Sequence, residues 1–255
     1  MEDIKTPADN IEATANVRGY TFDLNTYWQD WVDAYDGVHH LADIGAAYGS
    51  NTIPALERAR VVAMDIDTQH LEELHERTPT ELRPHLETRY GKLPDGLNCA
   101  EASFSGILVS EVLHFLSPHE VQQAFQELLR LLVPGGRLVL TAISFYNLNT
   151  ETQGLVPELQ AKFRADVDAT TFPGWFPDFS VGKSLIPEPY RAHVPDMIHF
   201  FSADQLCTLA DRAGFDVELA RMATPTSYPP YAFCNKYNKE QVGLIARKPR
   251  RQGQV

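Results

Sequence analysis

The chain has 255 residues, of which 44% are hydrophobic and 22% are charged, and its net charge is −12 at pH 7. This length can bury the core of one large domain or two small ones, and the composition excludes a disordered chain. The acidic balance disfavours nucleic acid as a partner, because nucleic-acid binders concentrate Lys and Arg, and the one basic cluster is the short run at 247–251.

The N-terminal part of the chain is predicted to be a loosely docked end followed by a helix. Residues 1–16 are polar, and we expect them to be frayed. Residues 20–35 place aromatic and aliphatic side chains at intervals of three and four, which is typical of a helix with one buried face. These side chains are Tyr27, Trp28, Trp31, Val32 and Tyr35.

From residue 40 onwards, predicted strands alternate with predicted helices. The strands, which are short and apolar, lie at 41–44, 61–65, 88–90, 105–109 and 137–142. The helices lie at about 50–58, from Thr68 as a plausible N-cap through His75, and at 118–132, where the Pro-Gly-Gly run at 134–136 stops the last of them. This alternation predicts βαβ units and a parallel sheet that is buried on both faces.

Residues 145–200 break the alternation, with nine aromatic residues and six of the 17 prolines. A structureless loop of this length is uncommon in a compact domain, so we predict an inserted cap that includes a helix near 157–167. The alternation then resumes with a helix at 202–213, which Gly214 ends, a strand at 215–220 and a last strand at 242–247.

These elements predict an α/β fold with a doubly wound, seven-stranded, mostly parallel sheet, an antiparallel final strand and a helical and aromatic cap. We expect one domain over residues 1–255. Its core would comprise 40–144 and 201–248, and its cap would combine 1–39 with 145–200.

Cysteine usage and hydropathy favour a cytoplasmic protein. The three cysteines, at positions 99, 207 and 234, form no C-x-x-C pair and predict neither a disulfide framework nor a structural zinc site. The first residues lack the apolar run of a signal peptide, and no stretch approaches the roughly 18 apolar residues of a membrane helix. We therefore expect no membrane partner, and the dispersed histidines predict no metal site.

The strongest functional signal is the run from Asp43 to Ser50. An acid ends the first strand, and glycines let the backbone approach a ligand where the free N–H groups of the next helix begin. In open α/β sheets, ligands bind at the carboxyl ends of the strands. A nicotinamide-binding loop would need G-x-G-x-x-G, which this run does not match, so a dinucleotide site fits poorly.

The run resembles motif I of class I S-adenosylmethionine-dependent methyltransferases, whose pattern is D/E-x-G-x-G-x-G. Asp43, Gly45 and Gly49 match this pattern, and Ala47 replaces the middle glycine. Four further segments resemble family motifs in the family's order; they lie at 61–67, 105–116, 131–140 and 201–215. The resemblance covers about residues 40–144 and 201–248, and it implies S-adenosylmethionine as cofactor and S-adenosylhomocysteine as product.

The resemblance also implies roles for individual residues in cofactor binding. The methionine end of the cofactor is expected at Asp43, Gly45, Ala46, Ala47 and Gly49, the ribose diol at Asp65, adenine at Ile66, and a further pocket contact at Ser110. Tyr27, with Tyr20 and Trp31, lines this pocket or simply packs in the core. Asp67 is expected to cap the following helix. The stretch 89–94 lacks the acid that often contacts adenine, so that contact stays open.

Four residues are candidates for a general base. His114 lies just past the fourth predicted strand, where an unperturbed imidazole could accept a proton at neutral pH, or where it could pack under the cofactor. Glu111 is a comparable candidate, and His193 and His199 are candidates from the cap. The Pro-Pro-Tyr run at 229–231 lies outside the place of the amino-methyltransferase motif and is expected to be a rigid turn.

The function expected from these features is methylation of a small, aromatic or heterocyclic acceptor, with O-methylation favoured over N-methylation. The aromatic insertion motivates this expectation, because flat apolar acceptors suit aromatic-lined pockets. Two alternatives remain: a methyltransferase that modifies RNA or protein, and a non-catalytic cofactor-binding protein. The expected partners are the small acceptor and, in a homodimer, a second copy of the chain.

Overall fold

The computed structural model describes residues 12–14, 20–21, 24–186, 188, 190–223 and 236–250. Most of the polar N-terminal end and the Pro-Pro-Tyr run at 229–231, for which frayed chain and a rigid turn are expected, lie outside the described residues.

The described elements confirm the alternation of strands and helices. The strands are β1 (Glu12–Ala13), β2 (Tyr20–Thr21), β3 (His40–Ile44), β4 (Val61–Asp65), β5 (Leu86–Tyr90), β6 (Phe104–Ser110), β7 (Leu132–Ile143), β8 (Trp175–Phe176), β9 (Ile198–His199), β10 (Asp216–Ala223) and β11 (Gln241–Arg247). The helices are α1 (Trp28–Val32), α2 (Thr52–Ala55), α3 (Thr68–Arg77), α4 (Pro118–Leu131), α5 (Leu148–Thr152), α6 (Val156–Ala165), α7 (Ser180–Ser184) and α8 (Ala203–Ala213).

The central sheet has seven strands in the order β10-β11-β7-β6-β3-β4-β5. The five strands from β7 to β5 pair in parallel, whereas β11 runs antiparallel to both β7 and β10. From β3 the chain winds outward to β5 and then crosses back to β6, so the winding direction reverses between β3 and β6. This topology confirms the predicted fold, and it places a ligand crevice at the carboxyl ends of β3, β4 and β6.

Local signals explain where the longer helices begin and end. Ser117 and Glu120 form a capping box at the start of α4, and Ser202 caps α8, which ends at Gly214 with φ of +101°. At α3 the N-cap is Asp67, whose side chain accepts from the N–H of Gln69, so the expected capping role of Asp67 is confirmed. The expectation for Thr68 is wrong, because it is the first residue inside the helix.

Two predicted boundaries differ from the structure because tertiary contacts override local pattern. The predicted helix at 20–35 shrinks to α1, since the Asn25 side chain accepts from the N–H of Tyr27 and forms a turn there. The Pro-Gly-Gly run at 134–136 lies inside β7 instead of before it. Gly135 adopts φ of +84° and donates to the carbonyl of Lys248, so pairing with the end of the chain begins there.

The N-terminal segment and the insertion pack in different hydrophobic clusters. Trp31 of α1 is fully buried against one face of the sheet, among residues of β3, β6, β7 and β11. The aromatic residues of 145–200 mostly form a cluster of their own, with Phe145, Phe163 and Phe200 at its centre. The division of the chain into a core and one composite cap stays a prediction. None of the helices in the described part of the chain is long and apolar enough to cross a membrane.

Candidate functional site

The glycine-bearing turn after β3 forms the first wall of the site. Gly45 and Gly49 have φ of +82° and +85°, and Ala47 lies between them at +45°. The N–H groups of Gly45 and Ala46 donate to the carbonyl of Met64 at 2.8 and 3.1 Å, which ties the turn to β4. Backbone therefore lies directly above the carboxyl ends of these two strands, as a closely approaching ligand requires.

Replacing Gly45 with Ala is expected to lower the free energy of unfolding by about 1–3 kcal/mol more than the same change at Gly37. Both glycines have a φ near +80°, so both variants carry the same left-handed strain. A Cβ at Gly45 would lie 2.4 Å from the Val112 Cγ2, whereas nothing lies within 4 Å at Gly37. Urea unfolding of the two variants measures the difference, and equal losses would contradict the close packing.

Asp43 lies beneath this turn and is almost completely buried. Its Oδ2 accepts a hydrogen bond from the Thr52 hydroxyl at 2.7 Å, which links β3 to the first residue of α2. Burial raises the pKa of Asp43 to about 7; the Thr52 bond opposes the rise, and the charge of Asp65 adds to it. The charge of this carboxyl group therefore changes close to neutral pH.

Asp65 ends β4 beside the turn, and three protein donors hold its carboxylate. The N–H of Ala47 donates to Oδ2 and the N–H of Asp67 donates to Oδ1, both at 2.9 Å. The Nδ1 of His70, a residue that the sequence pattern did not single out, lies 3.2 Å from Oδ1. The carboxylate is thus fixed in orientation, and among the described residues Oδ2 keeps room for a further donor.

Two large apolar side chains are exposed next to Asp65. Ile66 is 42% exposed, and Tyr90, which pairs with Asp65 in the sheet register, is 54% exposed. Adjacent exposed apolar side chains of this size often mark a binding surface. In the stretch 89–94, where the usual acid is missing, the side chain at the end of β5 is thus an exposed aromatic ring.

Ser110 ends β6 and is joined to the N-terminal segment through Asn25. The Asn25 Nδ2 donates to Ser110 Oγ at 2.9 Å and to Thr141 Oγ1 at 2.8 Å, and the Asn25 N–H donates to Asn51 Oδ1. Asn25 is therefore a buried link between three strand-end segments. Sequence patterns could not reveal it, because its partners lie 26, 85 and 116 residues away.

Glu111 follows β6 directly and is held in a left-handed conformation. Its φ is +55°, its side chain is buried, and its Oε1 accepts from the Gln241 Nε2 at 2.8 Å. Non-glycine residues with positive φ are uncommon and concentrate at functional sites. The structure thus brings Glu111 to the same sheet edge as Asp43 and Asp65.

His114 lies in the 3₁₀ turn Leu113–Phe115, one turn beyond Glu111. Its Nδ1 is buried and has no hydrogen-bond partner among the described residues. Burial lowers the pKa of His114 to about 3. The expectation of an unperturbed imidazole is therefore corrected: His114 is neutral at neutral pH, but it is a weak proton acceptor.

The two cap histidines differ in their surroundings. His199 is fully buried, its Nδ1–H donates to the Leu116 carbonyl at 3.1 Å, and its ring stacks on Phe201. Burial lowers the pKa of His199 to about 4. These contacts make His199 a link between the insertion and the turn that carries His114, and its role as a base stays a prediction. His193 lies in a separate 3₁₀ turn, Tyr190–His193, and its role stays a prediction.

Tyr27 packs on the sheet. Its ring lies so close to Gly243 that a Cβ there would approach Tyr27 Cε2 to 2.1 Å, and its hydroxyl accepts from the Arg221 Nε at 3.0 Å. Tyr27 and Trp31 share the core cluster on this face. Tyr27 thus has the core-packing role, and a contact between Tyr27 and the cofactor stays a prediction. The side chain of Tyr20 lies outside the described residues.

The described part of the chain contains no group of three His, Cys, Asp or Glu side chains that could hold a metal ion. Cys99 and Cys207 are free thiols, and Cys234 lies outside the described residues.

Comparison with known proteins agrees with this geometry. Residues 41–136 match the family model for a methyltransferase domain. No curated protein matches the chain by sequence. A solved S-adenosylmethionine-dependent methyltransferase from Methanosarcina mazei has a TM-score of 0.61 and 17% identity, over 90% of this chain and 100% of that chain.

Two other solved structures of the same fold are named for their acceptors. The glycopeptide N-methyltransferase MtfA has a TM-score of 0.57 and 15% identity, over 89% of this chain and 97% of that chain. A geranyl diphosphate methyltransferase has a TM-score of 0.56 and 15% identity, over 87% of this chain and 77% of that chain. At these identities the likeness shows the fold.

The methyltransferase-domain match spans β3, the glycine-bearing turn, β4 and β6, which together build the crevice. The strand order and the motif order agree with it. The chain therefore carries a methyltransferase domain over residues 41–136, on the fold of solved S-adenosylmethionine-dependent methyltransferases, which makes it a methyltransferase that uses S-adenosylmethionine.

Proposed function

We propose that the enzyme methylates a small, aromatic or heterocyclic acceptor, with oxygen favoured over nitrogen as the acceptor atom. The observation that carries this proposal is an aromatic wall against the end of β6, built by two residues of the 145–200 insertion and by Phe201, which follows the insertion. Phe172, Trp175 and Phe201 pack in one hydrophobic cluster with Leu113 and Leu116, which flank His114. A flat apolar molecule suits such a wall better than a polar chain does.

The residues at the crevice fit the cofactor that the family uses. Asp65 has a fixed carboxylate with room on Oδ2 for a ribose hydroxyl, and Ile66 offers an exposed apolar surface for adenine. Ser110, held by Asn25, is a further proposed contact. The methionine end is assigned to Asp43 and to the turn residues Gly45, Ala46, Ala47 and Gly49.

Methyl transfer depends on alignment and on the exclusion of water. Bound S-adenosylmethionine supplies an electrophilic methyl group, and the protein must hold the acceptor atom in line with it. A hydroxyl acceptor also loses a proton. We assign that proton to the carboxylate of Glu111, because the lowered pKa of His114 leaves the imidazole a weak base. In this proposal, His114 lines the pocket as an uncharged polar side chain.

Two further observations support a small acceptor. The names of two fold relatives specify a glycopeptide and geranyl diphosphate as acceptors, neither of which is a nucleic acid. The net charge of −12 also opposes a nucleic-acid substrate.

The test incubates the full-length protein with S-adenosylmethionine and a panel of phenols and N–H heterocycles. Mass spectrometry follows methylated products, and S-adenosylhomocysteine release is measured in parallel. Methylation of phenols ahead of the N–H compounds supports the proposal. Transfer only to RNA or protein, or cofactor binding without any transfer, would contradict it.

Asp65→Ala is expected to weaken binding of S-adenosylhomocysteine by about 1–3 kcal/mol, because the ribose hydroxyls lose their charged acceptor. Asp67→Ala is the matched control: it removes the N-cap of α3 and is expected to cost about 1 kcal/mol of stability with little change in affinity. Calorimetric titration measures both affinities. An Asp65→Ala variant that binds as tightly as the wild type would refute the assignment.

A further inference from the structure

We infer that His70 is a positioning residue for the cofactor, which holds the Asp65 carboxylate in place through Nδ1–H and tunes its strength as an acceptor through its own charge. The inference rests on the proposed contact between Asp65 and the ribose. It adds a side chain from α3 to the crevice.

The contact between His70 and Asp65 is buried. His70 is 4% exposed, and its Nδ1 lies 3.2 Å from Asp65 Oδ1. An ionised carboxylate can only accept, so Nδ1 carries the hydrogen and donates it. The ring edge meets the Tyr48 ring at 5.1 Å, which fixes the imidazole plane from the side of the glycine-bearing turn.

His70 is the one side-chain donor among the described donors to this carboxylate. The other two are the backbone N–H groups of Ala47 and Asp67. Backbone donors do not change charge, whereas an imidazole does. When His70 is neutral, the pair with Asp65 carries a net negative charge, and when His70 is protonated that charge is cancelled.

The charged groups around His70 set the direction of this effect. Burial opposes the imidazolium, but the bond and the charge of Asp65, together with the charge of Asp67, outweigh it and raise the pKa of His70 above its ordinary value. The Nε2 lies 3.9 Å from Asp67 Oδ2. Arg77 lies on the Tyr48 ring, 4.5 Å from its centroid. The carboxyl groups of Asp43 and Asp65 interact through their charges.

Acidification should therefore weaken cofactor binding, and it should weaken S-adenosylmethionine more than S-adenosylhomocysteine. S-adenosylmethionine carries a methyl group and a positive charge on sulfur that S-adenosylhomocysteine lacks, so only S-adenosylmethionine loses an electrostatic attraction to the net negative pair of His70 and Asp65. Protonation of Asp43 also weakens cofactor binding as the pH falls. The contribution of His70 is therefore the difference in the pH-dependent loss of affinity between the wild type and a variant at position 70.

Two amide variants separate the position of the donor from its charge. In His70→Asn the amide nitrogen takes the place of Nδ1, and in His70→Gln it takes the place of Nε2. By calorimetry at pH 8, we expect His70→Asn to bind S-adenosylhomocysteine within about threefold of the wild type and His70→Gln to bind about tenfold more weakly. For each protein, the affinity for S-adenosylmethionine is divided by the affinity for S-adenosylhomocysteine. From pH 8 to pH 6, this ratio should change less in His70→Asn than in the wild type.

Each outcome has one meaning. If Asp65→Ala binds S-adenosylhomocysteine as the wild type does, the proposed ribose contact falls, and this inference falls with it. If Asp65→Ala binds weakly while both amide variants match the wild type, the ribose contact stands and the role of His70 is overturned. Equal losses in the two amide variants, with unchanged melting temperatures, would also overturn it, because donor position would then not matter.

Discussion

At pH 8, Asp43→Asn is expected to raise the free energy of unfolding, by up to about 4 kcal/mol. Burial raises the pKa of Asp43 to about 7 from an ordinary value of 3.8, so the folded state holds a proton that the unfolded chain releases between these values. Stability therefore falls as pH rises through this window. Asn does not titrate, and its amide oxygen can still accept from the Thr52 hydroxyl.

The pH dependence makes this prediction specific. At pH 4 the wild-type carboxyl group is protonated in the folded state and about half protonated in the unfolded chain, so the advantage of Asp43→Asn should fall below about 1 kcal/mol, and it should reach its full size above pH 7. Urea unfolding at pH 4, 6 and 8 measures it. Asp216→Asn, a change at an exposed carboxylate, is the control and should change stability little at each pH. A constant difference across these pH values would contradict the buried titration.

The same variant is expected to bind S-adenosylmethionine about tenfold more weakly, with a smaller loss for S-adenosylhomocysteine, because it removes a negative charge from the proposed methionine end. A gain in stability combined with a loss in binding is typical of functional sites. Equal affinities of both cofactor forms for the wild type and the variant would remove Asp43 from the binding site.

Asn25→Ala is expected to lower the free energy of unfolding by about 2–4 kcal/mol. The change removes the Asn25 donor from the hydroxyls of Ser110 and Thr141, which are left with their own contact at 3.4 Å, and Thr141 is fully buried. The backbone N–H that donates to Asn51 is kept, but Ser110, a proposed cofactor contact, loses its bond to the Asn25 side chain, so we expect weaker binding of S-adenosylhomocysteine as well. Chemical denaturation and calorimetry measure the two effects.

A double-mutant cycle provides the control for Asn25. Thr141→Val removes the second partner of one hydrogen bond while keeping the side-chain volume. If the bond between Asn25 and Thr141 stabilises the fold, the loss of unfolding free energy in the double variant should be smaller than the sum of the two single losses. The expected difference is about 1 kcal/mol or more. Strict additivity would show that Asn25 acts through packing alone.

The sheet could be predicted from the sequence because its signals are local. The apolar runs of β3, β4 and β6 are short, continuous and bounded by polar or turn residues, and the structure places strands at all three. The start of α4 carries a Ser-Pro-His-Glu signal that needs no tertiary information. The helix predicted at 20–35 failed for the opposite reason, since Asn25 commits its side chain to distant strands and ends the periodic segment early.

The residues of the candidate site also differ in whether the sequence could identify them. Asp43, Gly45 and Asp65 lie within the motifs that carry the family resemblance, so the sequence could identify them. His70 and Asn25 became visible only in the folded chain, because their roles depend on groups that the sheet brings together. The lowered pKa of His114 likewise depends on burial, which a motif does not encode.

The insertion at 145–200 leaves and rejoins the sheet at neighbouring residues. Phe201 forms a parallel bridge with Ser144 and donates its N–H to the Ile143 carbonyl, so the two ends of the insertion are neighbours at the tip of β7. A segment whose ends meet can change in length or composition without altering the register of the strands beneath it. In evolution, acceptor choice could therefore diverge through exchange of residues 145–200, while the cofactor crevice is inherited intact.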